Sequence, residues 1–131
     1  MTRIPLLTLL ASAAIGGGLM AATGPEPAPE ADMARLLANR TEQPTVSCVN
    51  IRNLGGNRTV GDAIVFGGGQ RRIYVNHPPG GCPDLRPGRR LQFRTTSGQL
   101  CRGDIVTVAD QLTDTVYGGC GLGDFTPFDR R

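Results

Sequence analysis

Four cysteines, Cys48, Cys82, Cys101 and Cys120, constrain this chain more than any other feature of its sequence. None forms the close C-x-x-C pair that a structural zinc site or a thioredoxin-like redox centre draws on. An even set of well-separated thiols instead reads as two disulfides in a chain bound for an oxidising compartment. Four cysteines allow three connectivities. The expected one joins Cys82 to Cys101, bracketing the strand between them, and Cys48 to Cys120, tying together the two ends of the domain. Such staples are needed. The chain has 131 residues, 5% aromatic content and no Trp, with 19 Gly and 10 Pro, so its store of large apolar side chains is too small for a secure core.

The amino terminus supports the same compartment. Arg3 precedes an apolar, small-residue run from Ile4 to Ala22, the n-region and h-region of a secretory signal peptide. Pro5 and Gly16–Gly18 make it a poor permanent membrane helix. Residues 1–23 are therefore expected to be a signal peptide, with no stable span in the mature chain. Export to the periplasm or beyond, from a bacterial cell, follows. Residues 24–45 read as a Pro-rich tether, GPEPAPEA, and one short helix, with Met33, Leu36 and Leu37 at helical spacing and Arg40 just behind them. Residues 46–131 are expected to be the disulfide-stapled β domain.

Within that domain the pattern is of short strands between Gly/Pro turns. Val46–Arg52, Thr59–Phe66, Arg71–Asn76, Leu91–Thr95, Asp104–Asp110 and Thr115–Tyr117 are the strand candidates, with Gly67–Gln70 as a hairpin tip. The fold class is mainly β: a small antiparallel barrel or sandwich of five to six short strands, two disulfides and a short N-terminal helix.

Three segments carry a resemblance. They are Arg72–Asn76 with Pro79–Arg86 (RIYVN and PGGCPDLR), Gln99–Val108 (QLCRGDIVTV) and Cys120–Pro127 (CGLGDFTP). Each is anchored on a cysteine, and together they resemble an uncharacterised family of small exported proteobacterial proteins, a domain of unknown function, over about Cys48 to Phe128. The resemblance implies export and cysteine pairing, and it brings no activity, ligand or catalytic residue.

No catalytic constellation stands out. His77, the only histidine, lies at a strand-to-loop transition without a nucleophile or an orienting acid in any known spacing. Ser47 and Ser97 lack a nucleophile-elbow context. The glycines at 67–69 and 118–123 do not lead into a helix bearing Lys and Ser/Thr, so there is no phosphate loop. No cofactor and no metal are expected. The small polar set Tyr74, Asn76 and His77, beside the Pro78–Gly81 loop, is the alternative candidate, the site of a small enzyme or an enzyme inhibitor.

The leading reading is a non-enzymatic exported protein, and the charge pattern suggests what it binds. All fourteen basic side chains are Arg. Nine lie between Arg52 and Arg102 against Asp62 and Asp84 alone, whereas Asp104–Asp129 holds five Asp and no Arg. The two halves are expected to pair across the fold, leaving any unpaired arginines for an anionic partner. Arg86, Arg89, Arg90 and Arg94 are the anion-binding candidates. Alternation along Leu91–Thr95 turns Arg90 and Arg94 outward, and Arg86 and Arg89 flank the Pro87–Gly88 turn. Nucleic acid suits an exported chain this poor in stacking aromatics badly. An anionic envelope component is the expected partner.

Overall fold

The computed structural model describes residues 17–18, 24–25, 28–68 and 70–131; the expected signal peptide, apart from Gly17 and Gly18, lies outside them. Among the described residues one helix, α1 (Pro29–Leu37), precedes ten short strands. These are β1 (Arg40–Glu42), β2 (Cys48–Asn50), β3 (Asn57–Val60), β4 (Ala63–Phe66), β5 (Arg72–Asn76), β6 (Arg89–Gln92), β7 (Gln99–Cys101), β8 (Ile105–Asp110), β9 (Val116–Gly121) and β10 (Phe125–Arg130). They form three sheets, ordered β1-β10-β5-β4-β3, β6-β8-β9 and β2-β7, and every pairing is antiparallel. The fold is mainly β, as the sequence predicts. It is layered and does not close into a barrel.

The main core lies between the sheets. Ile64, Phe66, Tyr74 and Phe125 from the five-stranded sheet meet Leu91, Val106, Val108 and Leu122, with Val49 and Leu100 contributed by β2 and β7. Phe125 is its aromatic centre, 6.0 Å from Phe66 and 6.5 Å, edge-on, from Tyr74 between ring centroids. The opposite face of the five-stranded sheet carries Val60, Ala63, Val65, Ile73 and Val75, on which Met33, Leu36 and Leu37 of α1 pack. Burial on both faces explains why β4 is a continuous apolar run, Ala-Ile-Val-Phe, without alternation.

Four expectations are corrected. Ten strands replace five to six, partly because Thr59–Phe66 is a hairpin and not one strand. Val60 pairs with Ala63 across Gly61–Asp62, and Gly61 takes φ +59°, the positive value that a type II′ turn needs at its first central position. The sheet also begins at Arg40, inside the segment read as tether and helix. Arg40 does not serve the helix end. It is buried and donates to the carbonyls of Arg71 (2.9 Å), Phe128 (3.4 Å) and Gln70 (3.0 Å), anchoring β1 to the start of β5. Burial, reinforced by the Arg130 charge, lowers its pKa from the usual arginine value. The last strand, β10, lies beyond the final strand candidate, Thr115–Tyr117, and it sits inside the largest sheet despite Pro127. The Gln43 N–H donates to the Pro127 carbonyl, so the donor-less nitrogen faces the same side. There the neighbouring chain leaves the ladder between Gln43 and the Val46 bridge to Phe125, so the proline costs only the one reciprocal bond to the Gln43 carbonyl, at the end of the β1 pairing.

The disulfide pairing is the fourth correction. The bridges are Cys48–Cys101 and Cys82–Cys120, not Cys82–Cys101 and Cys48–Cys120. Cys48 and Cys101 stand directly opposite in the β2–β7 ladder, and Cys120 turns inward from β9 to meet Cys82 in the loop before β6. Strand pairing over long separations decides which thiols meet, and the spacing of the cysteines carries no record of it.

Two disulfides fit a non-cytoplasmic, oxidising compartment. Among the described residues no helix is long and apolar enough to cross a membrane.

Candidate anion-binding site

The four candidate arginines divide between two places. Arg89 and Arg90 are neighbours on β6, and successive residues of a strand point to opposite faces. Arg90 forms an ion pair with Asp114, in the turn joining β8 to β9. Arg94 lies beyond the end of β6, exposed, with no carboxylate partner among the described residues. The single outer face expected of Arg86, Arg89, Arg90 and Arg94 does not form.

Arg86 and Arg89 do converge, and a residue that the sequence reading did not single out joins them. They line a cleft of about 240 Å³ with Arg58 of β3, Asn57, Thr59 and Gln111. Its lining residues include no Asp or Glu, and among the described residues none of the three arginines has a carboxylate partner. The Pro87–Gly88 turn, with Gly88 at φ +83°, sets Arg86 and Arg89 on either side of a reversal. The Thr59 hydroxyl donates to the Leu85 carbonyl (3.2 Å), which ties β3, and with it Arg58, to that turn.

Two of the guanidinium groups are oriented without being neutralised. Arg89 stacks over the Tyr117 ring, 3.6 Å from its centroid, and donates Nη1 to the Asp84 carbonyl at 2.9 Å. Arg86 donates Nε to the Pro83 carbonyl at 3.2 Å. Each retains N–H donors free to meet a ligand, because a guanidinium carries five. Planar donor forks beside side-chain amides form a pattern suited to phosphate, sulfate or carboxylate oxygens.

Part of the remaining charge pairs as the halves of the sequence suggest. Arg72–Asp129, Arg90–Asp114 and Arg102–Asp124 each join the basic segment to the acidic C-terminal one. Arg72 and Asp129 face each other across β5 and β10 and form a bidentate contact of 2.5 and 2.7 Å. That contact holds the Asp129 carboxyl below the usual carboxylate range and raises the Arg72 pKa.

Tyr74, Asn76 and His77 do not share a site. Tyr74 belongs to the main core. Asn76 is fully buried, and its amide clamps Gly123, donating to its carbonyl (2.8 Å) and accepting from its N–H (2.9 Å). His77, the next residue along, is exposed and lines a separate, mainly apolar cleft beneath α1 with Met33, Leu37 and Val60. Among the described residues no cluster of His, Cys, Asp or Glu suits a metal ion.

Comparison of the chain with models of protein families, with curated proteins and with solved structures finds no match.

Proposed function

We propose that this chain is an exported, non-enzymatic binding protein that holds an anionic envelope component in the Arg58–Arg86–Arg89 cleft. One observation carries the reading: three arginines meet in one cleft with no carboxylate among its lining residues, although other arginines of the chain are ion-paired. Like charges held together repel, and an anionic ligand relieves that repulsion. The leader-like first 23 residues and the two disulfides support delivery to the periplasm or cell exterior. The cysteine-anchored blocks support membership of the uncharacterised exported family that they resemble.

The test is retention on heparin and on vesicles containing acidic lipid, over a salt gradient. The Arg58→Gln/Arg86→Gln/Arg89→Gln variant is expected to elute at clearly lower salt than the wild type. An Arg90→Gln/Arg94→Gln control is expected to stay close to the wild type. Exposed charges are screened over about 8–10 Å near physiological ionic strength, so wild-type binding is expected to weaken steeply with salt. Equal retention of the triple variant and the wild type refutes the assignment.

A further inference from the structure

The outer margin of the three-stranded sheet lacks two devices that commonly guard an open sheet edge. β9 is the terminal strand there, and its six residues, Val-Tyr-Gly-Gly-Cys-Gly, include neither a charge nor a proline. Leu122 N–H donates to the Asp104 carbonyl, and Val106 and Val108 lie opposite Cys120 and Gly118. Alternation along the ladder therefore turns the backbone groups of Gly118 and Cys120 toward β8 and those of Gly119 and Gly121 outward. Among the described residues no second strand pairs with β9, and no loop backbone bonds to Gly119 or Gly121.

Apolar side chains collect at the same hairpin. Of the large hydrophobic residues left exposed among the described residues, Ile105, Leu112, Val116 and Tyr117 belong to β8, β9 or the turn between them. Val116, at the first position of β9, is 59% exposed. At the other end of the strand a groove of about 500 Å³ runs between Gly119–Leu122 and the Pro79–Gly81 loop.

We propose that the occupant of this edge is a second copy of the chain, with the two β9 strands antiparallel about a two-fold axis at Gly119. Three features make the strand self-complementary. Its lack of charge sets no like charges opposite each other at the axis. The outward backbone groups of Gly119 and Gly121 carry no side chain of their own, the place of a Cβ at Gly119 facing the Val106 carbonyl of β8. A two-fold at Gly119 carries the apolar Val116 end of each strand onto the groove at the Gly121–Leu122 end of the other, the reciprocity that an isologous interface requires. An unrelated extended peptide satisfies the edge hydrogen bonds but does not return that second contact.

The test follows the oxidised mature chain by sedimentation and light scattering from low micromolar to near-millimolar concentration. A reversible monomer–dimer equilibrium is expected. Val116→Lys and Gly121→Lys are each expected to weaken it about tenfold or more. A Cβ on Gly121 meets only Ile105 Cδ1, at 3.5 Å, so that change suits the monomer. Hydrogen exchange supplies a readout that needs no variant. The Gly119 and Gly121 amides are expected to gain protection with concentration, while Gly118 and Cys120 are protected throughout. A chain that stays monomeric, a dimer that both folded variants leave intact, or amides of Gly119 and Gly121 indifferent to concentration overturns the proposal.

Discussion

Replacing the buried pair, Cys82 and Cys120, with alanine separates what a disulfide does for stability from how easily it is lost. The bridge spans 38 residues, and closing a loop of that length in the unfolded chain stabilises the native state by about 4 kcal/mol. The Cys48–Cys101 bridge spans 53 residues, and the logarithm of loop length makes it stronger by only about 0.3 kcal/mol. Either double variant is therefore expected to lose about the same stability. For a folded body of about 90 residues the whole is about 5–13 kcal/mol, so each loss is a large share of it. At about 4–8 °C per kcal/mol for a domain of this size, the melting temperature falls by about 15–30 °C. Kinetics separates the bridges. Cys48 is exposed, whereas Cys82 and Cys120 are each 7% exposed, so a thiolate attacking the native protein reaches Cys48–Cys101 first. The assay pairs thermal melts by circular dichroism with intact mass after timed reduction and alkylation. A fall of less than about 5 °C for either variant refutes the loop-entropy reasoning. Reduction of Cys82–Cys120 ahead of Cys48–Cys101 refutes the reasoning from exposure.

Two further outcomes are expected. Asn76→Ala leaves the N–H and C=O of Gly123 without the amide that satisfies them, which costs about 2–5 kcal/mol in urea unfolding; a loss below about 1 kcal/mol counts against the clamp. Two carboxyl groups titrate below their usual range, Asp110 through the backbone N–H groups of Leu112 and Thr113 and Asp129 through Arg72. A lowered native pKa gives stability that is fully present above the unfolded value, about 3.9, and is lost as pH falls through the native one. Unfolding free energy is thus expected to hold steady from neutrality to about pH 5 and to fall in more acid solution. Asp110→Asn and Asp129→Asn each shrink that fall, and an unchanged acid limb in both rules the assignment out.

Local chemistry made much of this molecule legible in its sequence. The apolar spacing of Met33, Leu36 and Leu37 placed α1, and the β-rich runs placed β5, β6 and β8 to within a few residues. The Gly61–Asp62 turn was also written there, as a glycine followed by an aspartate between two β-rich tetrads, although the run it interrupts reads as one strand. The opposition of a basic segment and an acidic one foretold the pairs Arg72–Asp129, Arg90–Asp114 and Arg102–Asp124 in kind. In each of these the information lies within a few residues, or in a total charge, and needs no knowledge of neighbours in space.

What the sequence left open depends on register between distant segments. Each thiol can reach several others in an unfolded chain, and only the β2–β7 ladder sets Cys48 opposite Cys101. Pro127 argues locally against an interior strand, and only the break between Gln43 and Val46 in its neighbour makes β10 possible. Arg58 is 28 residues from Arg86 in the chain; the Thr59–Leu85 hydrogen bond brings the two segments together. The pleat, meanwhile, sends Arg89 and Arg90 to opposite faces. Composition determined that this chain is a small, cysteine-stapled β protein with arginine to spare. Which arginines share a cleft was decided by tertiary structure alone, because side-chain direction follows from strand pairing, and strand pairing is a property of the whole fold.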